Sequence, residues 1–140
     1  MARNFDGVDD VINLGSDISL DDLTPITICA WIYPEGWGEG STGNIYVKQN
    51  LSNKYGLRVN NVAITAGLEF SRAQATVDAS AQSAINTLAL NQWWFVAVTY
   101  RSSASPRVQL YIGAPSALVT ETTYTTQVDG SGSPGSDGAV

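Results

Sequence analysis

Asn91-Gln92-Trp93-Trp94-Phe95-Val96-Ala97-Val98-Thr99-Tyr100-Arg101 is the stretch that decides the fold. It contains no Gly and no Pro, and it is dense in aromatic and β-branched residues that favour strands. A two-residue period puts Trp93, Phe95, Ala97 and Thr99 on one face and Trp94, Val96, Val98 and Tyr100 on the other. Both faces are apolar, so the strand needs cover on both sides. It is expected inside a sheet with a second layer packed against it. Trp93 and Trp94 are expected in the core, and so is Trp31, which also sits in an apolar run.

Working outward, Ser102 to Pro106 reads as a hairpin loop into a second strand, Arg107 to Ile112, with Val108, Leu110 and Ile112 inward and Gln109 and Tyr111 outward. Upstream, Ile26 to Tyr33 is the other strong strand. Ile26, Ile28, Ala30 and Ile32 point one way, and Thr27, Cys29, Trp31 and Tyr33 the other. Cys29 lies within this apolar run and is expected as a core thiol. Asn44 to Lys48 reads as a short strand with Ile45 and Val47 inward and Tyr46 outward. Tyr55 to Asn60 and Thr65 to Ser71 alternate cleanly, with Tyr55, Leu57, Val59, Ala66, Leu68 and Phe70 facing a core, and Arg58 and Glu69 facing out. Arg72 to Leu90 is expected to be extended or irregular in preference to helical, and Leu118 to Val128 is Thr-rich and β-prone.

Arg3 to Leu14 suggests two short strands broken at Asp6-Gly7 and Asp9-Asp10. Ser19 to Leu23 suggests one helical turn capped by Ser19 and ended by Pro25. Pro34 to Gly43 is a long Gly-rich loop carrying Trp37, and Asp129 to Gly138 is a loop or tail with little to bury. The expectation is about nine or ten short strands without strand–helix alternation, an all-β two-layer antiparallel β-sandwich. Residues 1–128 form the sandwich domain and 129–140 a Gly/Ser-rich loop or tail.

The chain of 140 residues suits one domain with one core. Charged residues are 14% of it, against roughly 25% in typical soluble domains, so Thr, Ser, Asn and Gly carry the polarity. Seven basic residues against 13 acidic ones give a net charge of −6, which disfavours nucleic acid and anionic membranes as partners. There is no His, which removes Ser-His-Asp and Cys-His catalysis in their usual forms and every His-based zinc site. Cys29 is the single cysteine, so no intrachain disulfide is available. The opening residues have no apolar h-region, and no apolar run approaches membrane-spanning length. A working place outside a cell, on its surface or on a virion is expected only as part of a larger protein.

Four stretches in order resemble one family. Phe5-Asp6-Gly7-Val8-Asp9-Asp10-Val11-Ile12 looks like the opening strand of laminin G-like domains of the concanavalin A-like lectin/glucanase superfamily. Ile28-Cys29-Ala30-Trp31-Ile32-Tyr33-Pro34 resembles their next signature, a strand of the form S/C-A-W-hydrophobic-x-P. Asn91 to Tyr100 resembles the N-x-W-x-x-V-A-V-T-Y strand, and Val108-Gln109-Leu110-Tyr111-Ile112 the hairpin after it. The resemblance implies a concanavalin A-like jelly roll. The hairpin departs from the pattern, reading Ile112-Gly113-Ala114-Pro115 in place of Asn-Gly. The family's closing strand, of the form D-E-V-R-I-hydrophobic-x-R-A-L, has no counterpart, so a longer chain or another chain is expected to complete the sandwich. An open sheet edge also invites self-association.

The resemblance brings glucanases into view, whose active strand resembles E-x-D-x-E; no such triplet occurs here. Glu35 and Glu39 come nearest, but an extended chain would hold them about 13 Å apart at ~3.3 Å per residue. Paired glycosidase carboxylates need about 5–5.5 Å, or about 6.5–9.5 Å for inversion. No enzymatic activity is expected. The resemblance implies Ca²⁺ as the one cofactor to weigh, with Asp6, Asp9, Asp10 and Asp129 as candidate ligands and Asp137 near the last. For a glycan, the candidate contacts are Trp37, Tyr46, Arg58, Glu69 and Tyr111. The expected function is a non-catalytic carbohydrate-binding module, calcium-assisted if those aspartates gather. The alternative is a structural or adhesion module that binds protein, as in a phage tail or surface assembly.

Overall fold

The structure is a computed structural model that describes residues 5, 10–15, 17–49, 54–61 and 66–136. Nine strands make two antiparallel sheets: β1 (Ile26–Ile32), β2 (Thr42–Gln49), β3 (Lys54–Asn60), β4 (Gly67–Arg72), β5 (Ala79–Ser83), β6 (Trp94–Tyr100), β7 (Val108–Gly113), β8 (Thr120–Glu121) and β9 (Tyr124–Val128). One sheet has the order β1-β6-β7-β8, the other β2-β3-β4-β5-β9. Two short 3-10 turns, Ile18–Leu20 and Glu39–Ser41, are the only helical elements among the described residues.

The core lies between the sheets and follows the two-residue period. Val96, Val98 and Tyr100 of β6 and Val108 and Leu110 of β7 meet Tyr55, Leu57, Val59, Leu68, Phe70, Ala79 and Ala81 of the five-stranded sheet. Burying each of the larger aliphatic or aromatic side chains contributes about 1.5–3 kcal/mol. β6 sits between β1 and β7, in register from Ile26↔Tyr100 to Ile32↔Trp94 and from Phe95↔Gly113 to Tyr100↔Val108. The position inside a sheet is therefore as expected for Trp94 to Tyr100, but the cover expected on both faces is present on one only, that of Trp94, Val96, Val98 and Tyr100.

Arg72 is the largest fully buried side chain, 1% exposed. It continues the inward face of β4 and places its guanidinium 4.5 Å from the centre of the Tyr55 ring and 5.8 Å from that of Tyr100. Burial pushes the Tyr100 hydroxyl above its ordinary pKa, partly offset by Arg72 and Arg107. Residues 131–135 run beside 73–77, with Ser131 and Val77 exchanging backbone hydrogen bonds and Gly135 N donating to Ala73 O.

Several expectations fail for local reasons. Cys29 is exposed, not a core thiol, because Thr27, Cys29 and Trp31 lie on the side of β1 that faces away from the second sheet. Trp31 (53% exposed) and Trp93 (41%) are on that side too; of the three tryptophans expected in the core, Trp94 alone packs against it. In β2 the register shifts between Asn44 and Tyr46, a bulge at Ile45 that reverses the phase. Tyr46 therefore turns inward and Val47 outward, the reverse of strict alternation. The first 3-10 turn is capped by Asp17, whose carboxylate accepts from Ser19 N, and not by Ser19. Hydrogen bonding to the Ser19 side chain, and then to Ser19 N, holds the Asp17 carboxyl below its ordinary pKa. Of the strands expected over Arg3 to Leu14, residues 5 and 10–14 are described and none is in a strand.

Candidate functional site

The outer face of the four-stranded sheet is built from the alternate residues of β1, β6 and β7. Cross-strand register sets Cys29 opposite Ala97, Trp31 opposite Phe95, and Ala97 opposite Tyr111. The rings of Trp31 and Phe95 meet edge-on, centroids 5.6 Å apart and planes at 66°. One step beyond the paired strands, Tyr33 and Trp93 meet at 5.5 Å and 57°. Asn91 N donates to Pro34 O at 2.8 Å, which ties the two chain segments together where these rings stand. The Trp94 indole turns the other way and donates from Nε1 to Ala89 O.

With Tyr111 opposite Ala97, this produces five aromatic rings on one sheet face, three of them over a third exposed: Trp31, Tyr33 and Trp93. A polar rim borders them. Gln109 Nε2 donates to Glu121 Oε2 at 3.1 Å, and Glu121 pairs across the strands with Tyr111. The other Glu121 oxygen accepts from the Tyr124 hydroxyl at 2.7 Å, and that hydroxyl itself accepts from Leu110 N. Burial and the neighbouring carboxylate push Tyr124 above the ordinary phenol range, so it stays a neutral donor to Glu121.

The residues proposed from sequence for glycan contact do not form one site. Trp37 is partly buried against the core and fills the loop before β2. Tyr46 is likewise turned to the core, its ring 5.8 Å from that of Tyr55. Arg58 and Glu69 do meet, on the outer face of the five-stranded sheet: Arg58 Nη2 donates to Glu69 Oε1 at 2.5 Å and Asn60 Nδ2 donates to Glu69 Oε2. Both carboxylate oxygens of Glu69 are thus engaged. Tyr111 alone lies on the aromatic face.

Among the candidate calcium ligands, Asp6, Asp9 and the neighbouring Asp137 lie outside the described residues. Asp10 is exposed. Asp129 holds a turn: its Oδ2 accepts from Ser105 Oγ at 2.6 Å and its Oδ1 from Arg107 N at 2.8 Å. Those bonds, with the Arg107 charge, keep its carboxyl below the ordinary range. Among the described residues no group of three or more His, Cys, Asp or Glu side chains could hold a metal ion.

Sequence reading missed Trp31, Tyr33, Trp93 and Phe95 as surface residues. One signal was present: in β1 the inward set, Ile26, Ile28, Ala30 and Ile32, is wholly aliphatic, whereas the other set begins with Thr27 and ends with Tyr33. The less uniform set is the one facing solvent.

The two antiparallel sheets facing each other across a shared core define a β-sandwich of the concanavalin A-like kind. A family model described as the concanavalin A-like lectin/glucanases superfamily, Laminin_G_3, matches residues 6–137, and the chain belongs to this family. No curated protein and no solved structure matches it.

Proposed function

We propose that the chain is a non-catalytic carbohydrate-binding module whose ligand lies on the outer face of the four-stranded sheet. The exposed aromatic row of Trp31, Tyr33 and Trp93, with Phe95 beneath it, carries this reading. Sugar rings present apolar C–H faces and polar edges. An aromatic surface takes the first and a few fixed hydrogen-bonding groups the second. Here Gln109, Tyr111 and Glu121 border one side, and exposed Asn91 and Gln92 flank Trp93. In this reading the one carboxylate at the border, Glu121, serves as a fixed polar contact, held by Gln109 and Tyr124.

The aromatic face needs no metal for this reading, and Asp129 has both oxygens accepting protein hydrogen bonds. A glycan array probed with and without EDTA tests it. Specific binding to a glycan class, equal in both conditions and lost in Trp31→Ala, is expected. No glycan signal in either condition sinks it. The protein-binding reading is favoured by one observation, the steep 66° between Trp31 and Phe95, since a planar sugar platform is better served by coplanar rings. Absence of glycan binding would leave that reading standing.

A further inference from the structure

We propose that the aromatic face selects neutral oligosaccharides and excludes acidic ones, with Glu121 as the residue that sets this choice. The inference rests on the carbohydrate reading above and narrows its ligand. The strands β1, β6, β7 and β8 of this sheet hold one charged residue between them, Glu121. The basic residues that fall within strands, Lys48, Lys54, Arg58 and Arg72, all belong to the other sheet. Glu35, exposed just beyond Tyr33 and Pro34, adds a second carboxylate at the aromatic end. The outward series of β6 reaches a cation only at exposed Arg101, four residues past Ala97 and about 13 Å further along the strand. A carboxylate or sulfate on a ligand laid across these strands would meet like charge at the borders and no cation between them.

Glu121 is held in place for contact. β8 ends at Glu121, and the Tyr124 hydroxyl then takes the position of a strand partner, accepting from Leu110 N at 2.9 Å. The same hydroxyl donates to Glu121 Oε1 at 2.7 Å, and Gln109 Nε2 donates to Oε2 at 3.1 Å. Each carboxylate oxygen accepts one of these bonds, and of about four acceptor positions about two are left for a ligand. The side chain is exposed. A fixed group that only accepts hydrogen bonds takes the hydroxyl donors of a neutral sugar and repels an anion at the same place.

The register also sets a minimum length. Cys29, Ala97, Tyr111 and Glu121 stand in one row across β1, β6, β7 and β8, and Trp31 with Phe95 is the next outward pair along β1 and β6. Three interstrand steps separate β1 from β8, about 14 Å in all. One sugar ring cannot touch both Trp31 and Glu121, whereas a chain laid across the strands reaches both.

An array of matched glycan pairs tests this: the same oligosaccharide carrying glucose or glucuronic acid, and galactose with or without a sulfate. Neutral members should bind at least about tenfold more tightly than their acidic partners, and each chain more tightly than its single sugar. Raising salt from about 0.01 M to about 1 M shortens the screening length from about 30 Å to about 3 Å and should narrow that ratio. Glu121→Gln keeps the shape without the charge and should lose most of the ratio by gaining the acidic ligands. Glu69→Gln removes the same charge from the opposite sheet and should leave the ratio where it was. Binding to neither member of any pair overturns the carbohydrate reading and this inference with it. Equal binding of both members overturns this inference alone. So does a ratio that Glu121→Gln leaves unchanged or that Glu69→Gln removes as well, and so does a single sugar that binds as tightly as the chain.

Discussion

Trp31 and Phe95 stand opposite each other across β1 and β6, rings 5.6 Å apart and inclined at 66°, on the sheet face turned away from the core. Trp37, by contrast, packs against the core from its loop. The two tryptophans should therefore separate under mutation. Trp31→Ala removes one edge-to-face contact, about 0.5–1.5 kcal/mol of stability, yet should weaken glycan binding at least roughly tenfold, about 1.4 kcal/mol. Trp37→Ala should lower stability more, by about 2–3 kcal/mol, through lost burial. Its effect on affinity, measured where it remains folded, should be small. Urea unfolding and calorimetric titration of the same variants check both halves. Equal loss of binding in the two variants would contradict the assignment of the site.

The inward pattern of β3 and β4 was readable because each has one apolar and one polar face: Tyr55, Leu57, Val59, Leu68 and Phe70 are all buried as alternation requires. β6 and β1 were harder because both of their faces are apolar. Alternation sorted their residues correctly into two sets, but it does not say which set the second sheet covers. Trp31 and Trp93 were assigned to the core by composition, and they fell on the uncovered side. The bulge at Ile45 left no local mark in the sequence, since the extra residue is specified by pairing with β3 and not by β2 itself. The site was correspondingly less legible than the fold: Tyr111 was the one proposed residue on the aromatic face, and Trp37 and Tyr46 were drawn off it by core packing.

Arg72 lies over Tyr55 and is almost wholly buried, so its side chain works as core filler as well as charge. Arg72→Ala should cost about 3–4 kcal/mol, from the cavity and from the lost cation–π contact. Arg72→Met restores most of the volume without the charge and should recover at least half of that loss. Chemical denaturation of both variants distinguishes packing from charge. A methionine variant no more stable than the alanine one would mean that the charge and its hydrogen bonds dominate.

Gly130 has φ +72°, and a Cβ there would sit 2.6 Å from both Ala79 N and Val77 O, backbone atoms that cannot swing aside. Gly15 also has positive φ, +76°, but a Cβ there meets nothing within 4 Å. Gly15→Ala should cost only the left-handed penalty, about 1–2 kcal/mol at most. Gly130→Ala should cost clearly more, because it also pushes residues 131–135 away from residues 73–77, which they run beside. Thermal melting of the two variants side by side is the measurement, and equal shifts would refute the close approach at Gly130.

Asp129 gives the fold a pH dependence with a definite sign. Hydrogen bonds from Ser105 and from the Arg107 backbone lower its folded pKa below the ordinary 3.8. The unfolded chain therefore takes up this proton first as pH falls. The stabilisation is complete above pH 3.8, and it is lost as the pH drops through the folded value. Asp129→Asn cannot titrate and presents an amide in place of one acceptor oxygen. It should be less stable than the natural chain at neutral pH. The gap should narrow steadily below pH 3.8 as the natural carboxylate is protonated. Unfolding midpoints taken from neutral pH down into that range decide it: a gap that stays constant would mean the carboxylate contributes by shape and not by charge.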